Sequence, residues 1–155
     1  MSEPAPPTRP DLAAMVVPLG RRLVAAELPV LDTHGLAMWA YSVLLRLDDE
    51  PVRTQAALAR EIGADKTRII GILDDLEERG LIRRQPDPAD RRARLLSLTP
   101  EGRVLRDRVQ SAIQANEERL LADHLSAAER RGFLKGLQIL AQLPPSAFAG
   151  DDTRA

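Results

Sequence analysis

The chain has 155 residues, 44% hydrophobic and 29% charged, a globular balance whose length suits one compact domain better than two that would each be short of core. It contains no cysteine, which excludes disulfides, thiolate metal sites and cysteine-based redox switching. No run of about 18 apolar residues occurs, and Met1 to Pro10 is polar and proline-rich instead of basic and then apolar, so neither a membrane-spanning helix nor a secretory signal is expected and a cytoplasmic location is. The formal net charge of −1 hides a local excess: Arg79, Arg83, Arg84, Arg91, Arg92 and Arg94 face only Asp87 and Asp90 over the same stretch. Most of the compensating acid lies in Asp48 to Glu50, Asp74 to Glu78 and Glu117 to Glu118.

Helical patterning dominates. Leu12, Met15, Leu19, Leu23 and Leu28 predict a first helix over 11–28, kinked or delayed at Pro18, which cannot donate a backbone hydrogen bond. Asp32 and Thr33 are then the expected caps of a second helix through Leu36, Trp39, Tyr41, Val43, Leu44 and Leu47, largely buried and ending before Pro51. Thr54 caps a short third helix with Leu58 and Ile62 on one face, stopped by Gly63; Asp65 caps a fourth carrying Ile69, Ile72, Leu73 and Leu76 on one side, stopped by Gly80. Two helices joined by so short a glycine-containing turn form a helix-turn-helix.

Leu81 to Gln85 and Ala93 to Leu98 read as two short strands, and the segment between them is too rich in turn formers to be strand. Thr99-Pro100 is a strong helix start, and the helix it opens reaches about Asp123 with a stripe of Leu105, Val109, Ala112, Ile113, Leu120 and Leu121 that invites a partner helix. Ser126-Ala127-Ala128-Glu129 is a capping box for a last helix halted by Pro144-Pro145, with 146–155 as a loose tail. The expected fold is therefore mainly α with a small β-hairpin wing: a winged helix-turn-helix over 52–99 between helical regions at 11–47 and 100–143.

On a helical wheel the core face of the fourth helix turns Thr67, Gly71 and Asp74 outward, with Arg68 flanking them and Lys66 in the first turn. Such a helix suits entry into a major groove N-terminus first, where Lys66, Thr67, Arg68, the positive end of the helix dipole and a glycine permitting close approach meet the DNA. Asp74, Asp75, Glu77 and Glu78 at its other end would be repelled by phosphates and read as a solvated face. A wing tip carrying Asp90-Arg91-Arg92 serves no core, and arginine there can reach a minor groove. Asp90 is expected to orient a neighbouring arginine through a charge-assisted pair.

T-Q-A-A-L-A-R-E-I-G (54–63), L-D-D-L-E-E-R-G-L-I (73–82) and D-P-A-D-R-R-A-R-L-L-S-L-T-P-E-G (87–102) resemble the MarR family of dimeric winged-helix regulators, over about 12–140. The resemblance implies that Lys66, Thr67 and Arg68 face double-stranded DNA, that Arg92 is the tip arginine with Asp90 as its partner, and that Thr54 and Gln55 lie near phosphates, with Arg91 and Arg94 as further contacts. It also implies a homodimer built from the first and last two helices, a pseudo-palindromic operator, and control by a small aromatic or phenolic ligand near His34, Met38, Trp39 and Tyr41. Ala37 and Ala40 stand where the family commonly has Thr and Gln, so its pocket residues do not transfer directly.

On an apolar helix Trp39 and Tyr41 are more often packed than ligand platforms. His34 and His124 lack partners at metal-ligand spacing, and no phosphate loop, nucleophile elbow or paired carboxylate suggests an enzyme or a cofactor. The leading expectation is a homodimeric, sequence-specific repressor of its own or a neighbouring operon; the alternatives are an effector-independent architectural DNA binder and a winged-helix module that docks an acidic protein.

Overall fold

The computed structural model describes residues 8–51 and 53–148. In chain order the elements are α1 (Leu12–Thr33), α2 (Met38–Leu44), β1 (Arg53–Thr54), α3 (Gln55–Ile62), α4 (Lys66–Glu78), β2 (Ile82–Pro86), β3 (Arg94–Leu98), α5 (Pro100–His124) and α6 (Ala127–Ala141), followed by a 3-10 turn at Pro145–Phe148. The chain packs as two compact units, one ending at Ile113 and the other beginning at Gln114, the boundary falling inside α5. Among the described residues no helix is long and apolar enough to cross a membrane.

Three helix ends share one device. Gly35, Gly63 and Gly80 take φ of 63°, 71° and 70°, a left-handed conformation that costs glycine no Cβ clash. At each, the residue after the glycine donates its N–H five residues back: Leu36 to the Leu31 carbonyl, Ala64 to Ala59 and Leu81 to Leu76, at 3.0, 3.0 and 2.9 Å. These are Schellman stops, and in the first and third both apolar members are buried, which joins the chain reversal to the core.

The stop at Gly35 corrects the expected start of the second helix. α1 runs through Pro18 and Pro29 to Thr33, so Asp32 and Thr33 belong to its last turn; α2 begins at Met38 behind Ala37, which offers no side-chain cap. Thr33 Oγ1 donates instead to the Pro29 carbonyl at 2.9 Å, and His34 Nδ1 lies 2.8 Å from the Val30 carbonyl oxygen. Burial of Leu31 and Leu36 on either side of Gly35 outweighs the capping tendency of the two polar residues.

β2 and β3 pair antiparallel in the register Ile82↔Leu98 to Pro86↔Arg94. A strand not anticipated from sequence, β1, adds to the other edge of β3 (Arg53↔Leu96, Thr54↔Leu95), giving the order β1-β3-β2. Two residues are too few to show the alternation by which a strand is recognised. Leu44, Leu58, Leu73, Ile82, Leu96 and Val109 meet in one core, so α2, the helix-turn-helix, the sheet and the first half of α5 form a single packed body.

Thr99 ties α5 to that body. Its Oγ1 accepts the Gly102 N–H at 3.0 Å as an N-cap, while its own hydroxyl donates to the Gly80 carbonyl at 2.6 Å and its N–H to the Leu81 carbonyl at 3.1 Å. In the second unit the capping box forms: the Ser126 N–H donates to Glu129 Oε2 at 2.8 Å and the Glu129 N–H to Ser126 Oγ at 3.3 Å, holding the Glu129 carboxyl below the usual carboxylate range. The tail expected from 146 is helical through Phe148; 1–7 and 149–155 lie outside the described residues.

Candidate nucleic-acid interface

α3 and α4 are set by their caps. Thr54 Oγ1 accepts the Ala57 N–H at 3.1 Å and Asp65 Oδ1 the Arg68 N–H at 2.8 Å, each satisfying an N–H that the helix itself leaves open. Ile69, Leu73 and Leu76 anchor α4 in the core, which leaves Lys66, Thr67, Arg68, Ile70 and Gly71 exposed along its N-terminal half. A Cβ at Gly71 would meet nothing within 4 Å, so packing within the chain does not require glycine there. Ile70, exposed at 38%, was missed by a wheel reading that placed only Ile69, Ile72, Leu73 and Leu76 in the core and left this position unassigned.

Between α3, the first turn of α4 and the wing lies a cleft of about 760 Å³. Thr54, Gln55, Lys66, Asp90, Arg92 and Arg94 all line it, so residues up to 40 positions apart in the chain converge on one concavity. Arg60, on the exposed side of α3, adds a cation that sequence reasoning did not single out. Arg91 is exposed in the wing turn but does not line the cleft.

The wing tip departs from expectation in one contact. Asp90 Oδ1 accepts the backbone N–H of Arg92 at 2.9 Å, and the Asp90 carbonyl accepts the Ala93 N–H at 2.9 Å. The aspartate therefore shapes the main chain of the turn instead of pairing with a guanidinium. A carboxylate on so short a side chain reaches the amide two residues on more readily than the far end of an arginine. Asp87 does the same one turn earlier, accepting the Ala89 N–H at 2.8 Å.

The acidic end of α4 is also not merely a solvated face. Arg84 of β2 donates from Nε to Glu77 Oε2 at 2.9 Å and from Nη2 to Glu77 Oε2 and Asp74 Oδ1, both at 2.6 Å, while its backbone N–H donates to Glu77 Oε1 at 3.3 Å. These side-chain hydrogen bonds, Glu77 first, raise the Arg84 pKa further above its ordinary value against the opposing cost of burial. Arg79 pairs with Asp75 at 3.4 Å. Of the six arginines in the basic stretch, Arg84 thus clamps the wing to the helix, while Arg79 pairs within the end of α4 itself.

The four residues expected near a ligand separate. Tyr41 is buried in the core and Met38 packs against it, His34 lies by the end of α1, and the half-buried Trp39 carries the Arg68 guanidinium 5.1 Å above its ring centroid. None of the four lines the large cleft.

A helix-turn-helix whose second helix exposes a cationic first turn, beside an arginine-bearing hairpin on a three-stranded sheet, defines a winged-helix DNA-binding protein. The MarR family model matches residues 34–93. A MarR-family regulator from Rhodococcus sp. RHA1 superposes with a TM-score of 0.71 at 31% identity, over 86% of this chain and 97% of that one. CouR from Rhodococcus jostii RHA1, solved bound to p-coumaroyl-CoA, matches at 32% identity and a TM-score of 0.67, over 86% of this chain and 94% of that one. CouR bound to a 23-mer DNA duplex matches at 30% identity and 0.69, over 85% and 93%. A Thauera aromatica protein assigned to regulation of the hcr operon is 35% identical over 108 residues, 70% of this chain, which spans 64% of that protein's length. The chain belongs to the MarR family and is a DNA-binding transcriptional regulator.

Proposed function

We propose that the chain acts as a homodimeric repressor that reads a pseudo-palindromic operator, with Lys66, Thr67 and Arg68 at base edges and Arg92 in the adjoining minor groove. The observation that carries this reading is the cleft in which Lys66, Arg92, Arg94 and Arg60 converge, a concentration of cations suited to a phosphate backbone between the two groove contacts. Thr54 and Gln55 line the same cleft, which supports their role as contacts to phosphate oxygens. Ile70 adds an apolar contact of the kind that suits a thymine methyl. CouR, solved on duplex DNA, supports the mode of binding.

Dimerisation is supported by apolar surface that the chain leaves uncovered. On α1, Leu12, Val16 and Val17 are 59, 52 and 49% exposed; on α6, Ile139 and Leu140 are 53 and 50% exposed and no residue is buried. Exposed apolar residues gathered on a helix mark a protein interface. A two-fold dimer calls for half-sites about one helical turn apart, roughly 34–36 Å. An aromatic acid or its thioester is the effector class, supported by the p-coumaroyl-CoA that CouR carries, with His34 at the end of α1 and Met38 at the start of α2 as its nearest candidates.

The deciding experiment compares binding to the DNA upstream of the chain's own coding region with binding to random duplex at physiological salt. A strong preference with a protected inverted repeat is expected; a ratio near unity would mean an architectural binder instead. Gly71→Ala separates fold from contact. With open space around the new methyl, helix propensity should raise stability by about 1 kcal/mol, while operator affinity falls because the methyl stands where the groove edge approaches. Calorimetry and titration of one sample read both signs, and unchanged affinity would remove Gly71 from the interface.

A further inference from the structure

We propose that Trp39 is a positioning residue for DNA reading: its indole ring holds the Arg68 guanidinium in the orientation that reaches a base, and so helps set specificity at one base pair of each half-site. This rests on the reading that Arg68 faces DNA.

Arg68 lies in the first turn of α4, and a long exposed side chain there would ordinarily sample many rotamers. Here it is held on two sides. Its Cζ sits 5.1 Å from the Trp39 ring centroid, inside the roughly 6 Å within which the ring's quadrupole attracts a cation. Its Nε lies 4.0 Å from Asp65 Oδ2, the other oxygen of the carboxylate that caps the helix through the Arg68 N–H. The ring lies against the guanidinium on one side and Asp65 stands nearest its Nε. The paired Nη donors stay available, and that fork is what matches the O6 and N7 acceptors of guanine.

The ring is itself well placed to serve as a platform. Trp39 is half-buried on α2, a helix that packs directly on α4, and its neighbours Ala40 and Tyr41 are core residues. The indole is therefore fixed by the fold and the guanidinium is ordered against it before DNA arrives. Ordering paid during folding is not paid again on binding. The same contact makes a residue of the region expected to sense ligands the immediate neighbour of a base-reading side chain.

Trp39 is the chain's single tryptophan, so its emission reports on the stack. The test uses the full chain and its operator with Trp39→Leu, Trp39→Phe, Arg68→Ala and the Trp39→Leu/Arg68→Ala double variant, titrated on the operator and on duplexes altered at each half-site base pair. Trp39→Leu should weaken operator binding about two- to fivefold, the range of an exposed cation–π contact, and flatten preference at a single base pair. Its salt dependence should stay that of the wild type, because no phosphate contact is lost. Trp39→Phe, which keeps an aromatic face, should restore most of the preference. In the Arg68→Ala background Trp39→Leu should change nothing further, and Arg68→Ala alone should alter the tryptophan emission of the free protein.

If Arg68→Ala leaves operator affinity and base preference intact, the assignment of Arg68 to DNA is wrong and the proposal goes with it. If Arg68→Ala weakens binding but Trp39→Leu acts equally with and without Arg68, or not at all, the DNA contact stands and the role of Trp39 is overturned. Should Trp39→Leu fold poorly by thermal melting, Trp39→Phe and the emission change on Arg68→Ala decide alone, and unchanged emission refutes the stack.

Discussion

Gly102→Ala is expected to destabilise the protein by roughly 3 kcal/mol, the upper part of the range for inserting a methyl into closed packing, and to lower the melting temperature by about 6–12 °C. A Cβ at position 102 would stand 2.9 Å from the Leu81 carbonyl carbon and nearer still to its oxygen, distances that real Cβ atoms do not adopt. The obstacle is backbone, which cannot rotate aside as a side chain would. Relief would have to come from lifting the first turn of α5 off the Gly80–Leu81 corner, at the expense of the Thr99 hydrogen bonds to both carbonyls. Because Leu81 leads directly into β2, the wing should lose its fixed angle along with the stability. Thermal unfolding and hydrogen exchange at 80–85 and 99–103 read the effect, and a melting temperature within a degree of the wild type would contradict the close approach.

Arg92→Ala should weaken operator binding by about 1–3 kcal/mol, roughly five- to 150-fold, with little change in thermal stability, since the exposed side chain packs against no core. Arg84→Ala should behave in the opposite way. Its guanidinium is spent on Glu77 and Asp74, so removing it should cost about 1–2 kcal/mol of stability and leave the salt dependence of DNA binding unchanged. Any affinity it loses would come from a wing no longer braced on α4. Titration over a range of salt concentrations, beside thermal melts, distinguishes the two arginines. A reduced salt slope for Arg84→Ala, or a stability loss for Arg92→Ala, would reverse these assignments.

The contrast between those two arginines shows what a linear reading can carry. Arg79, Arg83, Arg84, Arg91, Arg92 and Arg94 are equivalent in composition, and a count of charge treats them alike. Arg84 is bound from β2 to Glu77 and Asp74 of α4, whereas Arg79 pairs with Asp75 within the end of that helix, and it takes the folded hairpin to set Arg84 against α4. The same limit explains Asp90, whose partner is an amide two residues away instead of a side chain.

What the sequence determined by itself was local: the caps at Thr54, Asp65, Thr99 and Ser126, the stops at Gly63 and Gly80, the core stripe of α4 and the identity of its exposed first turn. Each depends on hydrogen bonds or periodicity within a few residues, and each is present in the structure. The tertiary structure decided the rest, because the competing energies come from distant parts of the chain. Burial of Leu31 and Leu36 carried α1 past the expected caps at Asp32 and Thr33. Pairing with β3 made a strand of Arg53–Thr54. Packing of α2 on α4 brought Trp39 beneath Arg68, 29 positions away, a contact that no local pattern could announce.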